Sequence, residues 1–365
     1  MPINSPISLD FPHAGVVRRS GFRSAVDSRA PFSTPWALNT RSEGVLTERL
    51  RGGSFTGIAA AARPSSIVYR DRTLTFSGLA ITASRVGDST DTTLSSDVSD
   101  MLRPALFQFA EAAEQGGTVV ALVPHKDSSL IGFTATETWV LRGDPLNGSR
   151  QRISDEVGII GADAWCVSHD TVYFLSSRGL YSVGADGSGL KALSEDRLPE
   201  ELDDISDSTC TLTYQHSDRG VYIHTTGTDW FFDTARESFW PFDTASTESH
   251  VLLGPFYLGQ GTSFGRILSL HGNIAASSVD VTWRVVIGDT AEDAAANGKL
   301  AIEADVLGND FATYVSQSGA WSAGRAHMAY PRTRAMFFVL WLSAPTGNWE
   351  YETAAWTKMQ SGLWR

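Results

Sequence analysis

The sequence of 365 residues is poor in cysteine and has no long apolar segment. Its two cysteines, Cys166 and Cys210, are too few for a disulfide framework and fit no zinc spacing, so we expect buried free thiols. No run of 18 apolar residues occurs, and the first 19 residues lack the apolar core of a signal peptide. We therefore expect a soluble protein that is made in a cytoplasm.

Charge is also scarce, and it is unevenly distributed. Charged residues make up 19% of the chain, and lysine accounts for only 4 of the 29 basic residues. The net charge of −12 argues against a protein that holds nucleic acid on a broad basic surface. Residues 1–63 carry eight arginines and four acids, a net +4, whereas residues 150–250 carry 18 acids and seven bases, a net −11. Because arginine favours bidentate pairing, we expect some arginines to lie at subunit interfaces.

Glycine and aromatic residues are abundant, with 33 Gly, 18 Phe, 11 Trp and 9 Tyr, which favours short strands and tight turns. Three segments share a pattern of apolar strand, His/Asp turn, apolar strand, turn and aromatic strand: 118–145, 164–187 and 210–243. The turn histidines His125, His169 and His216 are 44 and 47 residues apart. A period of about 40–50 residues built from strands alone is typical of β-propeller blades.

We therefore predict an all-β fold: a β-propeller of about five to six blades, irregular in places, with flanking regions at both ends. Residues 1–62 are predicted to form an extended N-terminal arm, 63–275 the propeller, and 276–365 a C-terminal antiparallel β-sheet or sandwich. Alternating runs in the last region predict strands at Val281–Ile287, Leu300–Val306, Ala335–Leu342 and Trp349–Trp356.

One helix is predicted inside the propeller region, over about residues 99–115. The apolar residues at helical spacing are Leu102, Leu106, Phe109 and Ala113. Asp97 or Ser99 can cap the start, and Gly116-Gly117 ends the pattern.

The recurring histidines and aspartates are the most obvious catalytic candidates. The pairs are His125 with Asp127, His169 with Asp170, and His216 with Asp218. Each pair is compatible with a general base and its orienting carboxylate, or with half a metal site. Because the pairs recur at the same place in successive repeats, we interpret them as structural hairpin turns of different blades that point outward in separate directions. No nucleophile elbow, zinc motif or phosphate loop occurs, so we predict no catalytic residue, metal or cofactor.

A second group of candidates is an acidic cluster within the most negative part of the chain. Its members are Glu200, Glu201, Asp203, Asp204 and Asp207. Carboxylates in such number suit a divalent cation, but the spacing matches no calcium loop. Two interpretations of the acidic cluster therefore remain: a solvated acidic loop and a functional acidic surface.

Three stretches, in order, resemble the tail nozzle (packaged-DNA stabilisation) proteins of short-tailed bacteriophages. The first is Asn39-x-Arg41, followed by Arg51-Gly-Gly-x-x-x-Gly57. The second runs from Tyr69-Arg-Asp-Arg72 to Ser84-Arg-x-Gly-Asp-x-x-Asp91, with Ser89 where that family usually has proline. The third consists of Thr138–Pro145 and Ile153–Gly158, followed by Val172–Leu175 and Arg178–Tyr181.

The resemblance implies a structural virion protein without enzymatic activity: a ring of six copies in the phage tail, assembled in the host cytoplasm. The ring would continue the DNA channel below the portal and adaptor, contact tail fibres or tailspikes, and let double-stranded DNA pass without reading its sequence. Since an acidic wall repels DNA, we expect the acidic cluster to line the channel. The residues expected to contact a neighbouring subunit or the adaptor are Arg18, Arg19, Arg23, Trp36, Asn39, Arg41, Arg49 and Arg51. The residues expected to form a structural turn are Arg85, Gly87, Asp88 and Asp91.

Two other functions fit the same fold. One is a glycan-binding propeller, such as a receptor-binding tail protein, which needs exposed aromatic side chains beside polar ones. The other is a propeller glycosidase, which needs two carboxylates within about 5–10 Å of each other.

Overall fold

The computed structural model describes residues 7–8, 37–43, 49–52, 66–109, 117–126, 128–195, 197–198, 201–202, 205–206, 208–243, 248–259, 263–324, 326–345 and 347–363. The chain forms two compact units. We call them the split unit, made of Met1–Gly57 with Thr228–Arg365, and the middle unit, Ile58–Gly227. The boundaries of these units, after Gly57 and Gly227, differ from those of the predicted domains 1–62, 63–275 and 276–365.

The split unit begins with four short strands: β1 (Ile7–Ser8), β2 (Ala37–Leu38), β3 (Thr40–Glu43) and β4 (Arg49–Gly52). Asn39 joins β2 to β3 with a φ of 51°, a left-handed conformation that asparagine tolerates better than most residues. Of these strands, β1, β2 and β4 pair with C-terminal strands of the same unit, which are given below, and β3 pairs with β4.

The middle unit is built from antiparallel sheets in which each strand pairs with the next along the chain. The first sheet holds β5 (Ile67–Tyr69), β6 (Arg72–Ser77), β7 (Ala80–Ala83) and β8 (Ala105–Phe107). The second holds β9 (Ala121–His125), β10 (Ser129–Phe133), β11 (Thr138–Arg142) and β12 (Ser149–Ser154). The third holds β13 (Trp165–Ser168), β14 (Thr171–Ser176), β15 (Gly179–Gly184) and β16 (Lys191–Ala192). A hairpin of β17 (Thr211–Gln215) and β18 (Gly220–His224) completes the unit.

Four-stranded meanders of this kind are the blades of β-propellers, so the predicted all-β, propeller-type fold class is confirmed. The first strands of the sheets approach one another: β5 contacts β9, and β13 contacts β17. Apolar side chains fill the space between the first and second sheets, with Leu74, Ile81, Leu130 and Leu141 fully buried. Cys166 and Cys210 are buried free thiols, as expected.

The helix predicted over about 99–115 is wrong for residues 99–109, and residues 110–116 lie outside the described part. Residues 105–107 form strand β8, in which Ala105 and Phe107 are buried and Leu106 is exposed. Pro104 has no backbone N–H to donate, which opposes a helix that runs through it. The period is therefore that of a strand, and it continues to the buried Phe109.

The rest of the split unit follows from residue 228. A hairpin of β19 (Asp229–Asp233) and β20 (Ser238–Phe242) comes first. The longer elements are β21 (Ser249–Tyr257), β22 (Ser263–Ile274), β23 (Val281–Gly288), α1 (Ala291–Val306), β24 (Val315–Trp321), β25 (Ala326–Ala329), β26 (Arg334–Ala335), β27 (Phe337–Ala344) and β28 (Trp349–Leu363). One sheet has the order β2-β21-β27-β23-β24 and the other β25-β22-β28-β4-β3, with β1 on β28 and β26 on β22.

These two sheets pack face to face through aromatic residues. The Trp356 ring of one sheet lies 5.1 Å from Phe338 and 6.1 Å from Phe256 of the other, between centroids. Trp321 packs on Gly272, where a Cβ would lie 2.4 Å from the indole. The two sheets therefore form an antiparallel sandwich, which includes β2–β4, β21 and β22 from outside residues 276–365.

Helix α1 covers the other face of the β21-β27-β23 sheet. It begins after Thr290, whose hydroxyl accepts a bond from the backbone N–H of Asp293. Its buried residues Ala295 and Ile302 pack against the sheet. The strand predicted at Leu300–Val306 is therefore wrong, whereas the other three predicted C-terminal strands are confirmed. Within the described residues, no helix is long and apolar enough to cross a membrane.

Candidate functional site

A fully buried arginine, Arg72 on β6, organises one side of the middle unit. Its Nε and Nη2 donate to the two carboxylate oxygens of Asp144 at 3.1 and 3.3 Å. Its Nη1 donates to the carbonyls of Ser84 at 2.8 Å and Arg103 at 2.7 Å. Nη2 also lies 3.3 Å from the carbonyl oxygen of Met101. A buried guanidinium needs this many partners, because an uncompensated charge in the interior is costly.

The Arg72 network connects stretches that are far apart in the sequence. Asp144 follows β11, and the neighbouring Gly143 carbonyl accepts a bond of 2.8 Å from the Tyr69 hydroxyl. Ser84 follows β7, and its hydroxyl accepts from the Thr73 N–H. Parts of the second and third stretches that carry the family resemblance therefore meet at one buried side chain.

Short-range hydrogen bonds hold the long connection between β7 and β8. We call this connection, together with the first two residues of β8, the exposed segment (residues 84–106). At its start, the Arg85 N–H donates to the Asp91 carbonyl at 2.8 Å, and the Gly87 N–H donates to the Asp71 carbonyl at 2.9 Å. Arg85 and Asp88 form an isolated bridge, and Gly87 has a φ of 76°. Arg85, Gly87, Asp88 and Asp91 thus lie in a turn.

Aspartates organise the exposed segment further, each through its carboxylate. Asp88 accepts from the backbone N–H and hydroxyl of Thr90, and these bonds lower the pKa of its carboxyl. Asp97 accepts in the same way from Ser99, which lowers its pKa. Asp100 pairs with Arg85 at 2.6 Å, and this bond lowers the pKa of Asp100. The carboxylates remain ionised and keep the segment's backbone folded.

Large apolar side chains of the exposed segment nevertheless face solvent. The exposed fractions are 76% for Val98, 58% for Met101, 55% for Leu94, 54% for Leu106 and 50% for Leu102. Single exposed apolar residues are common on protein surfaces, whereas here five lie within 13 residues of the sequence. Only Leu102 and Leu106 among them belonged to the predicted helical pattern.

The predicted turn histidines lie at the same end of successive sheets of the middle unit. His125 ends β9, while His169 and His216 occupy the turns after β13 and β17. Lys126 and His169 have φ values of 48° and 53°, which tight hairpin turns require. Asp170 and Asp218 also lie in these turns, and Asp127 lies outside the described residues.

These histidines do not point in separate directions, contrary to the expectation from the sequence. The rings of His169 and His216 lie 5.9 Å apart between centroids. His125 Nε2 lies 3.3 Å from the His169 carbonyl oxygen and 3.2 Å from a carboxylate oxygen of Asp170. The turns of His169 and His216 are adjacent because the first strands of their sheets, β13 and β17, are in contact.

No group of three or more metal-ligating side chains comes together among the described residues. The two exposed histidines, His169 and His216, therefore approach each other without further ligands that would form a metal centre.

Most of the acidic cluster falls outside the described residues. These members are Glu200, Asp203, Asp204 and Asp207. Glu201 is described; it is half-buried beside the fully buried Leu202. The channel-lining role therefore stays a prediction.

The residues predicted to contact a neighbouring subunit divide in the same way. Arg18, Arg19, Arg23 and Trp36 lie outside the described residues. Arg49 and Arg51 lie on β4, which pairs with β3 and β28. Arg41 on β3 holds its guanidinium carbon 4.7 Å from the centre of the Phe231 ring.

Asn39 differs from that expectation because its side chain is buried within its own chain. Its amide nitrogen donates to the Glu248 carbonyl at 2.8 Å, and its amide oxygen accepts from the Asp243 N–H at 2.8 Å. Asn39 therefore stabilises the β2–β3 junction. Its amide is buried and bonded within the chain, so it does not contact a neighbouring subunit.

A buried histidine in the split unit was not predicted from the sequence. His250 on β21 accepts a hydrogen bond at Nδ1 from the Trp341 indole N–H, at 3.3 Å. Burial lowers the pKa of His250 to about 4, and the nearby Arg284 adds to this shift. Arg284 lies 4.0 Å over the Trp341 ring and donates to the Ser343 hydroxyl at 2.7 Å.

Arg284 also connects this cluster to α1. Its guanidinium lies 3.8 Å from the carboxylate of Asp305, near the end of the helix. Burial raises the pKa of Asp305 and lowers that of Arg284, and their mutual attraction opposes both shifts. The ion pair therefore links helix α1 to the sheet. The described members of the cluster are buried or half-buried, so they form no exposed binding site.

Comparisons with known proteins add little. No protein-family model matches the chain, and no curated protein does. The chain is similar to the extracellular domains of two putative hybrid two-component systems from B. thetaiotaomicron. The first is 12% identical with a TM-score of 0.33, and the match covers 57% of this chain and 25% of that one. The second is 10% identical with a TM-score of 0.34, and the match covers 55% of this chain and 29% of that one. A family 43 arabinoxylan arabinofuranohydrolase from Bacillus subtilis is 9% identical with a TM-score of 0.23, covering 89% of this chain and 68% of its own. The chain spans about a quarter of the first of these proteins, and similarity of this degree assigns no function.

Proposed function

We propose that this chain is a structural protein of a virus particle, a subunit of a ring like the tail nozzle of short-tailed phages. The supporting observation is the Arg72 network, in which the resembling stretches Tyr69–Arg72, Ser84–Asp91 and Thr138–Pro145 share hydrogen bonds. Motifs that resemble a family by chance need not meet in space. Here parts of the second and third stretches meet at one buried charge, which supports the view that they belong to one framework.

The proposal assigns the chain a mechanical role. Rigid sheets of the middle unit and the sandwich of the split unit suit a ring that carries internal pressure without changing shape. A single interface repeated by rotation closes such a ring, here proposed as six copies below the portal and adaptor. DNA would pass through it, and its release would involve no reaction of the chain's own residues.

The experiment that tests this proposal is imaging of the purified full chain. Negative-stain micrographs and light-scattering mass, taken over a range of concentrations, are expected to show closed rings of uniform copy number. Arg178→Met, which removes only an exposed ion pair with Glu156, is the control and is expected to assemble normally. A chain that stays monomeric at every concentration would refute the ring.

Glycan binding is the second candidate, because one exposed aromatic pair suits a sugar. The Tyr257 and Phe337 rings lie 5.0 Å apart, and Tyr257 is 39% exposed. Lys358 Nζ lies 5.8 Å from the centre of the Tyr257 ring, which adds a hydrogen-bond donor beside the aromatic surface. Against it, every tryptophan with a described side chain is buried or half-buried, so none of them offers a broad aromatic platform.

A glycan array with the wild-type chain distinguishes the two candidates. Binding that Tyr257→Ala abolishes and Tyr330→Ala retains would favour the glycan function, since Tyr330 is an exposed tyrosine outside this pair. If no glycan binds and the micrographs show rings, the glycan function is rejected and the structural role is favoured.

A further inference from the structure

The exposed segment of the middle unit is a surface that is already folded for contact. Arg72, itself fully buried, holds the carbonyls of residues 101 and 103 by bonds of 3.3 and 2.7 Å. The Leu102 carbonyl also accepts from the Val86 N–H at 3.1 Å. The apolar side chains of Met101 and Leu102 are therefore presented by a fixed backbone. A partner that binds there loses little free energy in ordering the segment.

The charge of the exposed segment limits what can cover it. Residues 84–106 contain four aspartates and two arginines, a net charge of −2. The aspartates Asp88, Asp97 and Asp100 are held ionised by their hydrogen bonds. A matching partner is an apolar segment with a positive net charge, because association is favoured when the electrostatic potentials of the two surfaces have opposite signs.

The chain itself contains such a segment in residues 9–36. It carries four arginines and two aspartates, a net charge of +2. Its large apolar residues are Leu9, Phe11, Val16, Val17, Phe22, Val26, Phe32 and Trp36. Arginine and aromatic residues are the types that contribute most to protein interfaces.

The ends of residues 9–36 are fixed within the split unit. β1 pairs with β28 just before the segment, and β2 pairs with β21 just after it. A stretch of 28 residues anchored at both ends extends at most about 45 Å outward, half its length at about 3.3 Å per residue.

We propose that the exposed segment is the docking surface for residues 9–36 of a second copy of this chain. The inference rests on the proposed ring, and it identifies the two surfaces that meet there. The contact joins different surfaces of the two copies, so repeating it by rotation generates a ring.

Site-specific photo-crosslinking tests the contact. One chain carries a photo-crosslinking amino acid at position 98 and has residues 9–36 replaced by a Gly/Ser linker of equal length. A second, differently tagged chain is otherwise native, so any crosslink to residues 9–36 must come from another copy. We expect crosslinks from position 98 to peptides of 9–36, and none from the same probe at position 307, where Leu307 is 74% exposed on the end of α1.

A matched pair of substitutions gives a second measurement. Val98→Asp places a charge where an exposed apolar side chain stood, among aspartates, and is expected to weaken association roughly tenfold or more. Leu307→Asp makes the same chemical change at a similarly exposed residue and is expected to leave association unchanged.

The outcomes separate this inference from the proposed function. Rings with crosslinks from position 98 only to other regions, or with none, overturn the docking surface and leave the ring intact. Equal effects of Val98→Asp and Leu307→Asp also overturn it. A chain that forms no assembly in any of these samples refutes both proposals.

Discussion

Lowering the pH from 7 to 5 is expected to destabilise the split unit through His250. Burial beside Trp341 and Arg284 lowers the pKa of this histidine from 6.5 to about 4 in the folded chain. The unfolded chain therefore binds a proton at pH values where the folded chain does not. Stability supplied by the neutral ring is fully present above pH 6.5 and is lost progressively as the pH falls towards 4.

The size of the effect follows from the two pKa values. One pKa unit corresponds to about 1.4 kcal/mol, so the full shift is worth about 3 kcal/mol below pH 4. Between pH 7 and pH 5, the unfolded state gains most of a proton, and the expected loss is about 2 kcal/mol. The Trp341 indole N–H occupies Nδ1 of His250 and would have to move for that nitrogen to accept a proton.

The assay is urea unfolding at pH 7, 6 and 5, followed by tryptophan fluorescence, for the wild type and His250→Asn. Asparagine keeps an acceptor near the position of Nδ1 but does not titrate, so its constant packing cost cancels when slopes are compared. We expect the free energy of unfolding of the wild type to fall by about 2 kcal/mol more than that of the variant. His271→Asn, at a half-exposed histidine of the same unit, controls for the loss of a histidine. Parallel pH profiles for the wild type and His250→Asn would show that this reasoning is wrong.

Three further substitutions test the packing. Arg72→Met removes the buried guanidinium and is expected to cost about 3–5 kcal/mol of unfolding free energy, whereas Arg178→Met at an exposed pair costs less than about 1. Equal costs would contradict the Arg72 network. Gly272→Ala places a methyl group 2.4 Å from the Trp321 ring and is expected to lower the urea midpoint by the equivalent of about 1–3 kcal/mol; an unchanged midpoint would refute the tight contact. Thr290→Ala removes the cap of α1 and is expected to cost about 1 kcal/mol, with restoration by Thr290→Ser; equal stability of both variants would refute the cap.

The local features of the middle unit were predictable from the sequence. Turn residues between β-branched and aromatic runs predict hairpins, and their recurrence at His125, His169 and His216 predicts successive similar sheets. What local patterns do not encode is the proximity of these turns. The His169–His216 approach depends on how neighbouring sheets meet, which involves residues far apart in the sequence.

The errors arose where two periodicities fit the same residues. Leu102, Leu106 and Phe109 fit a helix, yet Phe107 and Phe109 are the buried side of a strand period. Over 300–306 the reverse holds: alternation suggested a strand, while Ala295 and Ile302, seven residues apart, are buried on one side of a helix. In both cases the residues that the tertiary structure buries, rather than the local sequence pattern, determine whether a strand or a helix forms.

The His250 cluster and the pairing of β1–β4 had no local signal. The partners of His250 lie on two other strands of its sheet, 34 and 91 residues away. The buried Asn39 similarly bonds to residues more than 200 positions later. A sequence without an alignment contains no information on such pairs, so the arginine-rich N-terminal region could only be interpreted as an arm.

The late pairing of the first strands has a consequence for synthesis. β2 leaves the ribosome about 200 residues before its partner β21, and β4 about 300 residues before β28. At about 5–20 residues per second, β2 waits roughly 10–40 seconds without its partner, while residues 58–227 are synthesised. The strands β2 and β4 are thus made early and paired late, so chaperones that shield unpaired strands would act on them during translation.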